Sequence, residues 1–465
     1  MCACAGGRTL SRMTRVLIAG SGVAAVEAVL ALRHMAGRRP EIALLAPAHA
    51  LEHRPASVAA PFGLAAPPPL DLQELARRYD VELVTGELAA VDVGARTARL
   101  AAGETRGYDH LLVAVGATPE QAVPGTLVFG GPRDVATVEW VLEEVRRGHR
   151  HQVVVVIPLA TTWSLPAYEL AIMARAAVQA VPEASVTIVT AEREPLWIFG
   201  EEAGSALRAL LAERDIDLRT GVTGAHVTDD VLWLKTGQAL IADTVVSLPR
   251  LVGPGIAGLP ADEQGFIPVD AHGCVMGCER VLAAGDATTF PVKQGGLATQ
   301  QADAAAATIA HELGASVEPR PFVPVLRGLL LTGGAPLYLR AELDARGGRR
   351  TGRARRLRGE VSGRALWWPP GKVAGRYLAP YLSTARPVAL GSEPLVDRVP
   401  GRVAADEAEH EAALDLALLL AEEDEAAGDI RQALHALDAA AALGGGVLPT
   451  AYAKRRERWL AQLKA

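Results

Sequence analysis

The chain has 465 residues, 50% of them hydrophobic and 22% charged, so it is long enough for several domains and can bury large cores. A formal net charge of −6 gives no electrostatic reason to expect a nucleic-acid partner. The sequence holds no apolar run of the roughly 18–20 residues that span a bilayer, and its first residues lack the apolar core of a signal peptide. We expect a cytoplasmic protein without a transmembrane segment.

The first predicted elements are a strand, a tight turn and a helix within TRVLIAGSGVAAVEAVLALR (14–33). The turn matches G-x-G-x-x-A, in which Gly20 permits the sharp turn, Gly22 lets a pyrophosphate approach the backbone and Ala25 lets the helix pack closely. The positive end of the helix favours phosphate. We therefore predict that a dinucleotide binds to Gly20, Ser21, Gly22, Ala24 and Ala25.

One expected part of this site is missing from the next predicted strand, EIALLAP (41–47). A carboxylate about 20 residues after the turn normally binds the adenosine ribose. Ala46 and Pro47 stand near that position, and the nearest acid, Glu52, comes several residues later. The backbone and His49 remain the two alternatives for holding the ribose.

Buried strands and helices then alternate as far as about residue 320. A strand within YDHLLVAVGATP (108–119) ends near Gly116. A second unit starts at HQVVVVIP (151–158). The pattern of the first unit returns in RVLAAGDATTFPVKQGG (280–296). Such alternation predicts parallel sheets with helices on both faces. The predicted fold class is α/β, with two Rossmann-like dinucleotide-binding domains.

The turn of the second unit has lost its glycines. Glu169 follows Thr162 at the interval at which Glu27 follows Gly20, so Thr162, Ser164 and Ala167 correspond to Gly20, Gly22 and Ala25. Side chains at the first two positions disfavour positive φ and keep the backbone from a pyrophosphate, and Pro166 removes an N–H donor. We predict weak NAD(P)H binding or none.

The segment 281–296 carries the most specific motif. It places Gly285 and Asp286 at the end of a strand, and Lys293, Gln294, Gly295 and Gly296 before a small-residue helix. Together with VLIAGSGVAAVEA, YDHLLVAVGATP and SLPAYELA, it resembles the FAD-dependent pyridine nucleotide-disulfide oxidoreductase superfamily. The resemblance is to the branch of sulfide:quinone oxidoreductases and type II NADH dehydrogenases, and it frames most of residues 14–312.

The resemblance implies FAD as cofactor. It implies that Asp286 binds the ribityl or pyrophosphate part, and that the chain passes beside the phosphates at Arg54. The helix start at Lys293–Gly296 would face the flavin pyrimidine edge, where Lys293 and the helix dipole stabilise reduced flavin. Glu169 is the candidate acid or base near the flavin, with a helix N-terminal charge as the alternative.

The cysteines argue against two chemistries of the superfamily. They form two close pairs, Cys2/Cys4 and Cys274/Cys278, and the resemblance puts the second pair on a surface loop far from the flavin ring. Sulfide oxidation through cysteine and disulfide reduction are therefore poorly supported, and we predict no metal site. A redox or metal-binding role of Cys274 and Cys278 remains the alternative to a structural one.

The predicted domains are an FAD-binding domain (14–150 and 268–320), a degenerate NAD(P)-binding-like domain (151–267), an α/β interface domain (321–400) and a helical-hairpin tail (403–465). The tail resembles one tetratricopeptide-type unit and should dock on the body, on a second copy or on a protein partner. Trp367-Trp368-Pro369-Pro370 packs in the core, lines a substrate pocket or contacts a membrane surface peripherally.

These features predict an FAD-dependent oxidoreductase that passes electrons between an unidentified donor and acceptor, with a quinone as one candidate partner. Two alternatives stay open. One is a flavin-bearing binding or scaffold protein, favoured by the loss of the glycines and of flavin-proximal cysteines. The other is an NAD(P)H dehydrogenase.

Overall fold

The computed structural model describes residues 13–64, 68–159, 161–350, 359–367 and 369–385, and, in the C-terminal stretch, residues 418, 421–422, 425, 430–443 and 448–462. Its helices are α1 (Val23–Ala36), α2 (Leu72–Arg78), α3 (Val135–Arg146), α4 (Leu165–Ala177), α5 (Glu201–Glu213), α6 (Gly295–Glu312), α7 (Leu378–Ala385), α8 (Ile430–Leu443) and α9 (Thr450–Gln462). Short 3-10 helices cover Arg54–Phe62, Pro132–Asp134, Trp197–Phe199 and Gly285–Ala287.

The first unit is built on a five-stranded parallel sheet. Its strands lie in the order Val281–Ala283, His110–Val113, Arg15–Ala19, Glu41–Ala46 and Val81–Thr85. Helices α1 and α6 pack against each other and share one apolar cluster with this sheet. The other face meets an antiparallel sheet of Leu88–Asp92, Thr97–Leu100 and Thr105–Gly107. The central strands are buried on both faces, which explains their continuous apolar sequences.

The second unit repeats this plan. Its parallel sheet runs in the order Leu127–Val128, Thr244–Ser247, Gln152–Ile157, Ser185–Thr190 and Ile216–Arg219. It also carries an antiparallel sheet of Gly224–Thr228, Val231–Leu234 and Ala239–Ile241. Between the units, Thr118–Glu120 pairs with Arg250–Val252. The prediction of two Rossmann-like units is confirmed.

Another antiparallel sheet follows α6 in the chain. Its antiparallel strands are Val325–Leu330, Leu337–Glu342 and Glu360–Ser362. Leu326, Leu330 and Leu339 share an apolar cluster with α4, so this sheet packs against the second unit. Trp367 is buried, 5.2 Å from Tyr338 between ring centroids, and donates a hydrogen bond to the Gly371 carbonyl at 3.2 Å. Trp367 is thus a packing residue, whereas Trp368 lies outside the described residues.

The C-terminal helices lie against the first unit. Helix α7 packs on α1 and on α8, and α8 packs on α9. Leu434, Leu437 and Trp459 belong to the same apolar cluster as α1 and α6. Residues 403–417 and 426–429 of the predicted tail fall outside the described residues. Within the described part of the chain, no helix is both long and apolar enough to cross a bilayer.

Candidate functional site

The turn at Gly20 can be made only by glycine. Its φ is +136°, and a Cβ at this position would lie 2.1 Å from the Ala114 carbonyl oxygen. The Gly20 N–H donates to the Leu45 carbonyl at 2.8 Å, which joins the turn to the neighbouring strand. Gly20 therefore lets the chain pass between two strand ends that are closely packed.

Gly22 leaves the start of α1 open. It is the N-cap residue, it is exposed, and no atom lies within 4 Å of the place where a Cβ would be. No side chain caps α1, and its first turn has no acidic residue. Because the first N–H groups of a helix lack intrahelical partners, this end can bind a phosphate. Ser21 is half-buried beside Gly22, whereas Ala24 and Ala25 are buried.

The strand Val281–Ala283 brings a second glycine to this turn. Gly285 has a φ of +78°, and a Cβ there would lie 3.2 Å from the Ala24 Cβ and 3.3 Å from the Ala298 Cβ. The Gly285 N–H donates to Gln301 Oε1 at 2.7 Å, and the Thr288 hydroxyl donates to the same oxygen at 3.1 Å. Gln301 thus fixes the turn that carries Asp286, a role that the sequence analysis did not identify.

Asp286 presents a carboxylate with free acceptor capacity. It is half-buried, and it makes no side-chain hydrogen bond to another described residue. Burial raises its pKa, while the charges of Lys293 and Arg54 act in the opposite direction. The Arg54 side chain packs against Gly131, because a Cβ on Gly131 would lie 3.2 Å from Arg54 Cγ. Arg54 is therefore near enough to Asp286 for its charge to act on the carboxylate.

The N-terminus of α6 meets three segments that are far apart in sequence. A Cβ at Gly295 would lie 3.4 Å from Val373 Cγ2, and 3.8 Å from both Pro55 Cγ and Val23 Cγ2. Gln294 caps the helix: its side-chain oxygen accepts from the Leu297 N–H at 2.9 Å, and its amide donates to the Arg327 carbonyl at 3.1 Å. Gly296 follows, with the Ala374 nitrogen 3.6 Å from its Cβ position.

Lys293 is buried at the foot of this helix. Its ammonium donates to the Thr288 carbonyl and lies 3.8 Å from the centroid of the Phe266 ring. Burial lowers the pKa of Lys293 to about 8, although Asp286 and Asp262 favour its charged form. The ammonium is therefore fixed below the Asp286 turn, and its predicted effect on reduced flavin remains a prediction.

Two further predicted positions lie around the first turn. Gly116 has a φ of +79° just after the strand His110–Val113, with free space where a Cβ would be. His49 is 3.4 Å from both the Gln73 amide nitrogen and the Thr85 hydroxyl. It lines a surface cavity of about 450 Å³ together with α2. His49 is thus already engaged with neighbouring side chains.

Glu169 lies in a closed environment on α4. It is fully buried, and its Oε1 accepts from the Leu331 N–H at 2.8 Å and from the Lys372 ammonium. Its Oε2 has no hydrogen-bond partner among the described residues. Burial raises the pKa of Glu169 and lowers that of Lys372, and each charge opposes the shift of the other. Nothing in the sequence identified Lys372 as the partner of Glu169.

The second turn closes on a residue that the sequence analysis also missed. The Ser164 hydroxyl, at the cap position of α4, donates to Glu192 Oε1 at 3.0 Å. The Tyr168 hydroxyl donates to Glu192 Oε2 at 2.5 Å. The turn of the second unit is therefore hydrogen-bonded to the Glu192 carboxylate.

Cys274 and Cys278 are free thiols on the loop before the strand Val281–Ala283. Burial raises the pKa of Cys274 to about 11 and also raises that of Cys278. Both side chains therefore stay protonated at neutral pH, which disfavours nucleophilic or metal-binding roles. Among the described residues, no group of three or more histidine, cysteine, aspartate or glutamate side chains is placed to hold a metal.

The model of the pyridine nucleotide-disulphide oxidoreductase family matches residues 14–308, which include both units and the α6 motif. The chain belongs to this family. It is a flavin-dependent oxidoreductase of this group, with the two Rossmann-like units described above. The Gly20 turn, the Asp286 turn and the start of α6 all lie within the matched residues.

Two curated proteins are similar to this chain over most of their length. An NADH dehydrogenase-like protein of Mycobacterium tuberculosis is 27% identical over 300 residues, 59% of this chain and 72% of the relative. The ferredoxin reductase component of a chlorobenzene dioxygenase from a Cupriavidus strain is 30% identical over 341 residues, 67% of this chain and 77% of the relative.

Solved structures show the same fold. The sulfide:quinone oxidoreductase of Aquifex aeolicus superposes with a TM-score of 0.67 at 18% identity, covering 75% of this chain and 86% of that one. A ferredoxin reductase of Rhodopseudomonas palustris gives a TM-score of 0.57 at 22% identity, covering 70% of this chain and 82% of that one. At these identities, the likeness concerns the fold alone.

Proposed function

We propose that this oxidoreductase binds FAD in the first unit and passes electron pairs from a donor other than NAD(P)H to a small-molecule acceptor, with a quinone as the favoured class. The observation that carries the proposal is the meeting of three features. They are the open helix start at Gly22, the Asp286 carboxylate, which has no hydrogen-bond partner among the described residues, and the start of α6 at Gly295. A dinucleotide needs a phosphate site and a hydroxyl acceptor, and these features supply both.

The residues of the first unit fit FAD. Gly22 and the N–H groups of α1 would hold the pyrophosphate, with Arg54 adding positive charge. Asp286 would accept hydrogen bonds from hydroxyl groups of the cofactor, because its oxygens have free acceptor capacity. When bound, FAD supplies the capacity to accept and release an electron pair. Gly295 and Gly296 would set the positive end of α6 beside the flavin.

The choice of electron donor rests on the glycines that are missing from the turn of the second unit. Thr162 and Ser164 replace the glycines of its turn, and the turn is engaged with Glu192. The cysteines offer no alternative, because burial raises the pKa values of Cys274 and Cys278. A donor that reacts directly with bound flavin, such as a quinol or another small reductant, is consistent with both features. One of the two solved structures is that of a sulfide:quinone oxidoreductase, which supports a quinone as the acceptor class.

The test is anaerobic reduction of the purified full-length protein, followed by flavin absorbance. We expect released FAD rather than FMN, slow or undetectable bleaching by NADH and NADPH, and reoxidation of dithionite-reduced protein by a soluble quinone. Rapid, saturable bleaching at micromolar NADH would refute the choice of donor. Absence of flavin from correctly folded protein would refute the proposal as a whole.

A second candidate function is an NAD(P)H dehydrogenase, because a curated relative is named an NADH dehydrogenase-like protein. The same titration separates the two functions, since only the second predicts fast bleaching by a nicotinamide. The scaffold alternative predicts flavin that is bound but not turned over by any donor. Steady-state turnover with a quinone would therefore exclude it.

A further inference from the structure

Glu192 stands at a position with a known role in dinucleotide-binding units. The second strand of the second unit, Ser185–Thr190, ends two residues before it. In such units, a carboxylate at the end of the second strand binds the adenosine ribose hydroxyls. The first unit offers no carboxylate at the matching place, since Ala48 stands two residues after its second strand. The second unit has therefore kept an acid that the first unit lacks.

Both oxygens of this acid already accept hydrogen bonds from within the chain. Its Oε1 accepts from the Ser164 hydroxyl at 3.0 Å, and its Oε2 accepts from the Tyr168 hydroxyl at 2.5 Å and from the Thr190 hydroxyl at 3.4 Å. Tyr168 is fully buried, so its hydroxyl cannot turn to another partner without repacking. Three hydroxyl donors thus hold both oxygens inside the second unit.

The bonds also change the start of α4. Ser164 is the N-cap residue, but its hydroxyl makes no capping bond to the helix and binds Glu192 instead. In the first unit, the cap residue Gly22 leaves free space at the same place. The cap hydroxyl of α4 is therefore already engaged within the chain.

We infer that Glu192, held by Ser164 and Tyr168, excludes nicotinamide dinucleotides from the second unit and so determines which donors the enzyme accepts. This inference rests on the proposed function, in which the donor is not NAD(P)H. Loss of the turn glycines alone would weaken binding through poor backbone approach. The engaged carboxylate adds a separate barrier, because ribose hydroxyls would have to compete with the hydroxyls of Ser164, Tyr168 and Thr190 for its two oxygens.

The experiment separates the glycines from the carboxylate. Full-length T162G/S164G restores the turn and removes the Ser164 bond but leaves Tyr168 bound to Glu192. Adding Tyr168→Phe removes the shortest of the three hydroxyl bonds to the carboxylate, leaves the longer Thr190 bond and preserves the ring. We expect NAD⁺, measured by calorimetry, to bind T162G/S164G/Y168F at least tenfold more tightly than T162G/S164G. Adding Glu192→Ala to the triple variant should abolish that gain.

A matched control is T162G/S164G/Y338F. Tyr338 lies on the strand Leu337–Glu342, which pairs with Val325–Leu330 outside the second unit. It should bind NAD⁺ no better than T162G/S164G. The inference is wrong if the triple variant gains nothing over T162G/S164G, if the control gains equally, or if Glu192→Ala leaves the gain intact. Flavin content and melting temperature report folding of each variant. Loss of FAD from the wild-type protein would instead refute the proposed function, whatever the affinity for NAD⁺.

Discussion

Glu27 and Glu169 occupy matching positions in the two units, and both bind the same C-terminal segment. Glu27 on α1 accepts from the backbone N–H groups of Tyr377 and Leu378 at 2.8 and 2.6 Å. Glu169 on α4 accepts from the Lys372 ammonium. Both glutamates are fully buried. Residues 372–378 thus link the first and second units beside the start of α6, where Val373 lies against Gly295.

Gly22→Val should yield colourless protein, because a valine side chain would fill the free space through which a pyrophosphate reaches the backbone of α1. The measurement is the flavin-to-protein absorbance ratio after purification. Gly107→Val is the matched control, since Gly107 also has free space at its Cβ position but lies on the strand Thr105–Gly107. Full flavin content in Gly22→Val would contradict the assignment of the phosphate site.

Lys372→Met should lower the free energy of unfolding by about 3–5 kcal/mol, because it leaves the Glu169 carboxylate buried without its charge partner. Glu169→Gln/Lys372→Met should recover much of that loss, since the glutamine keeps an acceptor for the Leu331 N–H but carries no charge. Urea denaturation measures both. Equal stability of Lys372→Met and the wild-type protein would show that the ion pair contributes nothing.

The Glu27 carboxyl should make stability fall as pH rises through the range from about pH 4.5 to 7. Burial raises its pKa from 4.5 to about 7, against the bonds from Tyr377 and Leu378, the hydrogen bond with Asp303 and the charge of Arg376. The folded chain therefore binds the proton more tightly than the unfolded chain. This contribution is fully present below pH 4.5 and is lost as pH rises through 7, a change of roughly 3 kcal/mol.

The measurement is the unfolding free energy of the wild-type protein and of Glu27→Gln across this pH range. The glutamine does not titrate, so the difference between the two curves isolates the Glu27 contribution and its coupling to Asp303. Parallel curves would mean that the folded and unfolded pKa values of Glu27 are equal.

Truncation after Arg402 should leave FAD bound, because all the predicted cofactor residues lie upstream. It should also lower the melting temperature, since α8 would no longer cover α7 and the apolar cluster that includes Leu434 and Leu437. Thermal unfolding and size-exclusion chromatography check both effects. A truncated protein that matches the full chain in both would indicate an arm for another partner, in favour of the scaffold alternative.

Local motifs made much of the first unit predictable from sequence. Gly20 and Gly22 sit in one turn, so their spacing predicts a dinucleotide site. The Asp286 and Gly295 motifs are also local, and the family resemblance implies their roles. Gln301, Glu192 and Lys372 were missed because their roles depend on contacts with the Gly285 turn, Ser164 and Glu169. A buried polar pair of this kind leaves no periodic or spacing signal in either partner's own segment.

The insertion of the second unit into the first has a consequence for synthesis on the ribosome. The first sheet is incomplete until its strand Val281–Ala283 has been made. Helix α1 lacks its partner α6 until residue 312 has been made. The second sheet, by contrast, is complete once residue 247 has emerged. We expect the second unit to fold first on the nascent chain, because domains generally fold as units during translation. The N-terminal turn, although made earliest, would then become competent to take up cofactor only late in synthesis.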